Sequence, residues 1–398
     1  MKITFVGDVM CEEPLLRASR RGKTYDFTPV FKGMKAFFSE SDLVVANLET
    51  VFAGEEAGYT RALYSFNTPD SFAEAMKASG VDLVTTATNH ALDRGIPGLE
   101  RTLDLLDRLG VGHVGTARTA EEAEKICQVE TTGKKIGFLN YTYGTNVNES
   151  PCFLAEGEEY RLNLLMPQKK LQATYENGFH RVVGKTVRRL LSPKSVLKIK
   201  KLLGKNVANK YSDTLSREDL SDWYTEKLHS DLEKAKREND LVIVCLHLGG
   251  QFNEEPGEAA RYFTRLFAEN GADFVINTHP HVVQRAEFEG NAFTAYSLGN
   301  FSISPSSIYV PNELKPEYSV ALHLELGEGK TALSFSILKI LEGRDHAIRV
   351  LPADEAYALC PEEEKKAFRE DVAFILRRFT GKEIREDVPV QREYPWEE

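Results

Sequence analysis

Short runs of apolar, β-branched residues alternate along this chain with stretches of helical periodicity. Six of these runs predict strands, at residues 3–6, 43–46, 83–86, 135–141, 241–246 and 274–277. Between them, apolar positions spaced three or four apart predict helices, at residues 70–79, 98–109 and 221–237. The last two strands are almost continuously apolar, which is typical of strands covered on both faces. This alternation indicates an α/β fold.

Beyond residue 285 the pattern changes to the apolar and polar alternation of half-buried strands. Three strands and a terminal helix are predicted there, at residues 292–298, 318–326, 331–341 and 362–379. We expect these strands to form a second sheet that packs on the first. The expected organisation is a main domain over residues 1–326, followed by residues 327–398, which complete the second sheet and end in the helix.

Residues 169–210 interrupt the α/β alternation with a strongly basic composition. This segment has twelve Lys or Arg residues and one acid, Glu176, so it carries +11 while the whole chain carries −10. We predict a basic, mostly helical insertion at about residues 150–220. It fits a solvated helix pair packed on the acidic body, a lid over an anionic substrate, or a patch for an anionic membrane surface.

Composition narrows the classes of function. A net charge of −10 argues against general nucleic-acid binding, which needs a basic face. No stretch approaches the roughly 20 apolar residues that span a bilayer, and no secretory signal precedes the first strand. The five cysteines are scattered, which indicates a reducing compartment. We therefore expect a cytoplasmic protein that can associate with the cell envelope.

Polar side chains that can bind a metal follow five of the predicted strands. They are Asp8, Asn47 and Glu49, Asn89 with His90 and Asp93, His247, and the pair His279 and His281. Ligands of open α/β sheets bind at this carboxyl edge, so these side chains are expected to meet in one cleft. Each signal is weak alone: Asp8 also fits a turn or helix cap, and His247 a simple hydrogen-bonded histidine. The strongest is His279-Pro280-His281, because proline stiffens the turn between two imidazoles.

The mixture of oxygen and nitrogen donors favours a divalent Mn, Zn or Fe ion over calcium, and one or two ions fit the number of donors. Such an ion polarises an oxygen and lowers the pKa of bound water to about 7. The cleft therefore predicts hydrolytic chemistry.

Six motifs occur in a specific order along the chain. They are Gly7-Asp8, Asn47-Leu48-Glu49, Asn89-His90-Ala91-Leu92-Asp93-Arg94-Gly95, His247-Leu248-Gly249, His279-Pro280-His281 and Ser297-Leu298-Gly299-Asn300-Phe301. This order resembles the CapA family, which is tied to capsule and poly-γ-glutamate synthesis and is similar in fold to calcineurin-like metallophosphoesterases. The resemblance covers residues 1–326 and implies a four-layer αββα sandwich.

The resemblance also implies a role for each matching residue. The implied metal ligands are Asp8, Glu49, Asn89, His247, His279 and His281. His90, oriented by Asp93, would protonate the leaving group. Three further residues, Asn47, Arg94 and Asn300, would contact the substrate.

The chain departs from the family patterns at several positions. Met10 stands where the phosphoesterases place a histidine, so one of two metals would lack a ligand. Leu248, Gln251 and Arg94 replace residues usual in the CapA family, which bears more on the substrate cleft than on the metal.

Two hypotheses of function follow. The first is a metal-dependent hydrolase that acts on a phosphoester or on an anionic polymer such as a γ-linked glutamate chain. The second is a non-catalytic accessory protein of capsule assembly that binds the polymer or a membrane. The loss of a ligand at Met10 favours the second hypothesis, and the presence of His90 and Asp93 favours the first.

Overall fold

The computed structural model describes residues 1–61, 64–131, 133–147, 150–169, 213–327 and 331–397. Apart from Lys169, the predicted basic segment 169–210 lies outside the described residues. The helical character of the insertion and its three possible roles therefore stay predictions.

The strands of the described residues are given in chain order. They are β1 Lys2–Val9, β2 Arg20–Arg21, β3 Thr24–Tyr25, β4 Leu43–Leu48, β5 Leu83–Thr85, β6 Gly112–Val114, β7 Cys127–Glu130, β8 Lys135–Thr142, β9 Leu241–His247, β10 Phe274–Thr278, β11 Ala286–Glu289, β12 Ala292–Ala295, β13 Tyr318–Leu326, β14 Thr331–Glu342, β15 Ile348–Pro352 and β16 Tyr394–Pro395.

The helices of the same residues pack around these strands. They are α1 Glu13–Ala18, α2 Thr28–Phe31, α3 Lys35–Phe38, α4 Asp70–Ser79, α5 Gly95–Leu109, α6 Ala120–Ala123, α7 Asp222–Glu238, α8 Glu258–Glu269, α9 Ala353–Leu359 and α10 Lys365–Thr380. Among the described residues, none of these helices has the length and apolar character that a bilayer-crossing helix needs.

Two large sheets form the frame of the molecule. The first has the strand order β15-β14-β13-β1-β4-β5-β6, with β16 paired to β14. The second has the order β11-β12-β10-β9-β8-β7. Within the first sheet β1, β4, β5 and β6 are parallel neighbours, and within the second β8, β9, β10 and β12 are parallel neighbours. Each sheet therefore presents one carboxyl edge.

The expected assignment of the later strands to a second sheet is wrong for β13 and β14. The β13 strand pairs antiparallel with β1, with Ile3 opposite Leu324, so both later strands extend the first sheet. The second sheet is instead centred on β8, β9 and β10, and of the later strands β11 and β12 join it. Alternating polarity shows which face of a strand is buried, but it does not show which strand lies beside it. The division at residue 326 stays a prediction.

Three apolar clusters lie against the two sheets. One joins both sheets, with Phe5 of the first sheet 6.4 Å from Phe138 of the second between ring centroids. Another packs the first sheet against α2, α4 and α5, and the third packs the second sheet against α7 and α8. The α/β class is confirmed, and the four-layer order stays a prediction that these clusters support.

A buried histidine in the first sheet predicts a loss of stability in acid. His323 is 1% exposed, and its ring nitrogens contact the hydroxyl groups of Thr4 at 2.7 Å and Ser336 at 2.9 Å. Burial, with the positive charge of Lys2, lowers the pKa of His323 to about 3 from 6.5. Below about pH 6.5 His323 is protonated in the unfolded chain, whereas in the folded chain it stays neutral down to about pH 3. The free energy of unfolding therefore falls as the pH decreases through this window.

From pH 7 to pH 5, the free energy of unfolding should therefore decrease by about 2 kcal/mol less in His323→Gln than in the wild type. Urea denaturation at the two pH values measures the difference. His229→Gln on α7, where the histidine is only partly buried, is the matched control and should follow the wild type. Identical pH slopes for the wild type and His323→Gln would contradict the assignment.

Candidate metal centre

The carboxyl edges of the two sheets meet, and most of the predicted site residues lie at this junction. From the first sheet come Asp8 of β1, Glu49 directly after β4, and the loop that follows β5. From the second come His247, the last residue of β9, and the two histidines that follow β10. Asp8 and His247 lie within their strands rather than beyond them, which is a small correction to the predicted boundaries. The convergence that the strand ends predicted is present, but it needs both sheets.

Glu49 lies at the centre of this junction. Its side chain is fully buried, and four imidazoles surround its Oε1 atom. The distances from Oε1 are 3.5 Å to His247 Nε2, 3.6 Å to His281 Nε2, 3.7 Å to His90 Nε2 and 4.0 Å to His279 Nδ1. Ring nitrogens from both sheets therefore point at one carboxylate.

The donor set fits a divalent metal ion. Both oxygens of Glu49 and the Nε2 atom of His279 are buried without a hydrogen-bond partner, although buried polar atoms are nearly always satisfied. Two ligands about 2.1 Å from one Zn ion at the tetrahedral angle are about 3.4 Å apart, close to the separations around Glu49. Two sets of ligand atoms lie within 4.8 Å of one another, Glu49 with His279 and His281, and Asp8 with Glu49 and His247.

Charges within the cluster oppose the cost of burial. Burial alone would raise the pKa of Glu49, but the positive charge of His281 and His247 outweighs it and lowers that pKa to about 2. Burial would lower the pKa of His281, yet Glu49 and Asp8 raise it to about 9. Burial and the neighbouring His247 hold the pKa of His279 well below 6.5. A neutral His279 with an unpartnered Nε2 atom is in the protonation state that a metal ligand needs.

Asp8 is placed by a close approach of two backbones. A Cβ atom on Gly7 would lie 1.9 Å from the carbonyl oxygen of Gly299, so the residue before Asp8 has no room for a side chain. The Asp8 amide donates to that same oxygen at 3.1 Å. The Asp8 carboxylate accepts a hydrogen bond from Asn47 Nδ2 at 2.8 Å and lies 3.1 Å from His281 Nδ1. The motifs around residues 7 and 299 therefore form one contact.

The backbone of the His279-Pro280-His281 turn is strained. His279 has φ 95° and His281 has φ 59°, in the left-handed region that residues with a Cβ atom rarely adopt. Such strain costs about 1–3 kcal/mol per residue and clusters at functional sites. Asp8 stabilises the turn, because its Oδ2 atom accepts from the backbone amide of His279 at 3.3 Å.

His90 and Asp93 form a pair at the edge of the cluster. Asp93 Oδ2 lies 2.6 Å from His90 Nδ1, and it also accepts the Phe66 amide. The Phe66 ring stacks on the imidazole with 4.2 Å between centroids. The orientation of His90 by Asp93 that the sequence predicts is therefore present in the structure.

The three residues predicted to contact substrate have contacts within the protein. Asn47 bridges Asp8 and His247. Asn300 is fully buried, with its Oδ1 atom 2.9 Å from His281 Nδ1. The Arg94 guanidinium donates to the carbonyl of Gly58 and to Ser65 Oγ. These contacts favour positioning of ligands and of a loop over contact with a substrate.

Sequence reasoning missed Asn146, which lies on the loop after β8. Its Nδ2 atom is 3.2 Å from both ring nitrogens of His90, and its Oδ1 atom accepts from Asn89 Nδ2 at 3.1 Å. Asn89 in turn places its Oδ1 atom 2.9 Å from His247 Nε2. The predicted strand at 135–141 ends at the same sheet edge, so the polar residues after it were the available signal.

Met10 occupies no position in the metal cluster. Its side chain is 1% exposed and belongs to the apolar cluster between the first sheet and its helices. Its backbone amide donates to Ser302 Oγ.

The fold and the site define an α/β protein with a buried histidine and carboxylate cluster suited to a divalent metal. Residues 2–305 match the family described as bacterial capsule synthesis protein PGA_cap. The match covers most of the chain, so the chain belongs to this family, and the resemblance predicted from the motifs is confirmed.

Relatives of known name are distant. The chain is 22% identical over 310 residues to the PGA biosynthesis protein CapA of Bacillus subtilis (strain 168), covering 76% of this chain and 63% of the relative. It is 20% identical over 305 residues to the capsule biosynthesis protein CapA of Bacillus anthracis, covering 76% and 59%. The chain thus spans less than two thirds of the length of these curated relatives.

One solved structure is more distant still. It is described as a putative 5′-nucleotidase from Staphylococcus aureus in complex with alpha-ketoglutarate, at 12% identity and a TM-score of 0.43, covering 94% of this chain and 58% of that one. A similarity at this level carries no functional argument.

The contact between Gly7 and Gly299 predicts a large cost for a single methyl group. Gly7→Ala should lower the unfolding free energy by at least about 2 kcal/mol, because the clashing atoms belong to the backbone and cannot rotate away. Urea denaturation followed by circular dichroism measures the change.

Gly144→Ala is the matched control, since a Cβ atom there meets nothing within 4 Å. Its unfolding free energy should change by less than about 1 kcal/mol. Wild-type stability of Gly7→Ala would refute the close approach.

Proposed function

We propose that this protein is a metal-dependent hydrolase of capsule or poly-γ-glutamate-type polymer biosynthesis. Its substrate is a phosphoester or an anionic polymer such as a γ-linked glutamate chain. Membership of the capsule synthesis family supports the biological context, and the names of the two Bacillus relatives agree with it.

The observation that carries this proposal is the buried, unpartnered carboxylate of Glu49 beside a separate histidine–aspartate pair. The unpartnered atoms of Glu49 and His279 support the proposed metal binding. His90 and Asp93 add a proton-transfer pair, which a protein that only binds a ligand does not need.

Six side chains would hold one or two divalent Mn, Zn or Fe ions: Asp8, Glu49, Asn89, His247, His279 and His281. A bound ion supplies Lewis acidity toward a substrate oxygen and makes water more acidic. The buried, apolar surroundings strengthen every charge interaction at this centre.

His90 is the group that would move a proton. Its Nδ1 atom contacts Asp93, and its Nε2 atom faces the metal cluster, 3.7 Å from Glu49 Oε1. The contact with Asp93 fixes the ring so that Nε2 faces the cluster, from where it would pass a proton to a leaving oxygen. Stacking against Phe66 fixes the plane of the ring.

The second candidate is a non-catalytic protein of capsule assembly that uses the same centre to bind carboxylate groups of the polymer. The burial of Met10 in the apolar core favours it, because that position supplies no ligand for a second ion. Contact with an anionic membrane through residues 169–210 also belongs to this candidate. Within that segment the structure describes only Lys169, which pairs with Asp219.

Metal binding is tested through stability and metal content. Mn²⁺ or Zn²⁺ at 100 times its Kd should stabilise the wild type by about 2.7 kcal/mol, and it should not stabilise Glu49→Gln or His279→Ala. Thermal unfolding measures the first effect, and elemental analysis after dialysis measures bound metal. His113→Asn, at a histidine on the terminal strand β6 that pairs with Asp107, is the control and should bind like the wild type. Metal content near zero in the wild type, unchanged by His279→Ala, would refute the enzyme proposal.

Catalysis is tested with a chromogenic phosphodiester in the presence of Mn²⁺. His90→Asn should lower kcat about 10²–10⁴-fold, because the leaving group loses its proton donor. The metal content of this variant should stay close to that of the wild type. Full activity of His90→Asn would remove the histidine from the mechanism, whereas an inactive wild type with bound metal would favour the non-catalytic candidate.

A further inference from the structure

We propose that a pocket lined by arginine and tyrosine side chains, which the loop after β4 connects to the His90–Asp93 pair, is a binding subsite for an anionic group of the substrate. The pocket lies between α1, the β2–β3 hairpin and the loop at residues 55–61. It has a volume of about 430 Å³, within the roughly 300–1,000 Å³ of ligand pockets. Its lining includes Arg17, Arg20, Tyr25, Tyr59 and Arg61.

The donors that line this pocket are largely unused by the protein. Among the described residues, Arg61 and the hydroxyl groups of Tyr25 and Tyr59 have no hydrogen-bond or ion-pair partner. Arg20 uses only its Nε atom, which donates to the carbonyl of Gly22 at 3.0 Å. A carboxylate or phosphate group would therefore find two guanidinium groups and two hydroxyl groups free to donate.

The local charge is opposite to that of the whole protein. Residues 17–25 contain four Lys or Arg residues and no acid, in a chain of net charge −10. Two acids also line the pocket, and one of them, Glu13, is paired with Arg17 at 2.5 Å. The remaining acid, Glu55, faces two arginines in the lining, Arg20 and Arg61, so the lining carries a net positive charge that attracts anions.

The aromatic rings give the pocket a firm wall. The Tyr25 and Tyr59 rings pack edge to face with 5.5 Å between centroids, and Tyr25 stacks on Phe27 of the buried core. Both rings are only partly exposed, so packing holds them in place as part of the lining. A preformed wall of this kind lowers the entropic cost of binding.

One loop connects the pocket to the catalytic pair. Gly58 lines the pocket, and its carbonyl accepts from the Arg94 guanidinium at 3.0 Å. Arg94 follows Asp93, which holds His90, and further along the same loop Phe66 stacks on the His90 ring. A chain bound in the pocket would thus contact the same loop that supports His90.

The inference rests on the proposed function only for the nature of the substrate, which would need more than one anionic group. A carboxylate of a glutamate chain and a phosphate share the chemistry that arginine recognises. The pocket would bind the group that does not react and thereby position the one that does.

The test measures binding of two probes by isothermal titration calorimetry, a synthetic glutamate oligomer and inorganic pyrophosphate. For the probe that binds, the Arg20→Ala/Arg61→Ala double variant should weaken binding, raising Kd at least about tenfold, since it removes two charged hydrogen-bond donors. Arg349→Ala, at an exposed arginine on β15, is the matched control and should bind like the wild type. The probe whose affinity falls identifies the anion.

The outcomes separate this inference from the metal proposal. With metal removed from both proteins, His279→Ala should bind the probe with wild-type affinity. If the wild type hydrolyses a substrate with two or more anionic groups, the double variant should raise KM and leave kcat unchanged. Failure of both probes to bind the wild type, or equal affinity of the wild type and the double variant, would overturn the subsite.

Discussion

The structure depends on the cost of burying the Glu49 carboxylate. A fully buried charge is costly in a protein interior unless partners compensate it, and neither oxygen of Glu49 has a hydrogen bond. Compensation comes from the charge of the nearby imidazoles, His281 and His247 above all, although none of them forms a hydrogen bond with Glu49. A folded chain keeps such an arrangement when something else binds the same atoms, and a divalent cation satisfies carboxylate and imidazole together. The backbone strain at His279 and His281 also costs stability, and the rest of the fold compensates for it. Gly7 is a further constraint, because the close approach that places Asp8 leaves no room for a side chain there.

The metal centre exists only because two sheets end at the same place. Asp8 and Glu49 come from one sheet and His247 from the other, so neither sheet forms the cluster alone. The shared apolar core, in which Phe5 lies near Phe138, fixes the distance between the sheets. Packing far from the metal centre therefore sets the spacing of its ligands. Core substitutions between the sheets would therefore change that spacing, even though they touch none of the proposed ligands.

Much of the fold and of the candidate site could be predicted from local sequence. The features that could not be predicted all depend on which segments lie side by side in the folded chain. The helix at residues 70–79 has its predicted bounds, and the convergence of Asp8, Glu49 and the histidines follows from strand ends alone. The membership of β13 and β14 in the first sheet could not be predicted, because alternation shows a buried face and not a neighbour. The contacts of Asn47 and Asn300 with the proposed ligands could not be predicted for a related reason. A polar residue beside a site can face a substrate or hold a ligand, and tertiary structure alone distinguishes the two.

The loop between β4 and α4 contacts both the His90 side of the metal centre and the arginine and tyrosine pocket. In a site this closed, with every predicted ligand at most 1% exposed, the metal cluster has little surface with which to select a substrate. Substrate selection would then depend on neighbouring segments, and this loop contacts both the proton donor and the proposed subsite. Phe66 packs on His90, while Tyr59 and Arg61 line the arginine and tyrosine pocket. Arg94 joins the two by donating to Gly58 and following Asp93 in the chain. The same loop thus contacts the proposed subsite and the His90 ring, and a substrate with several anionic groups would bind better than one with a single group.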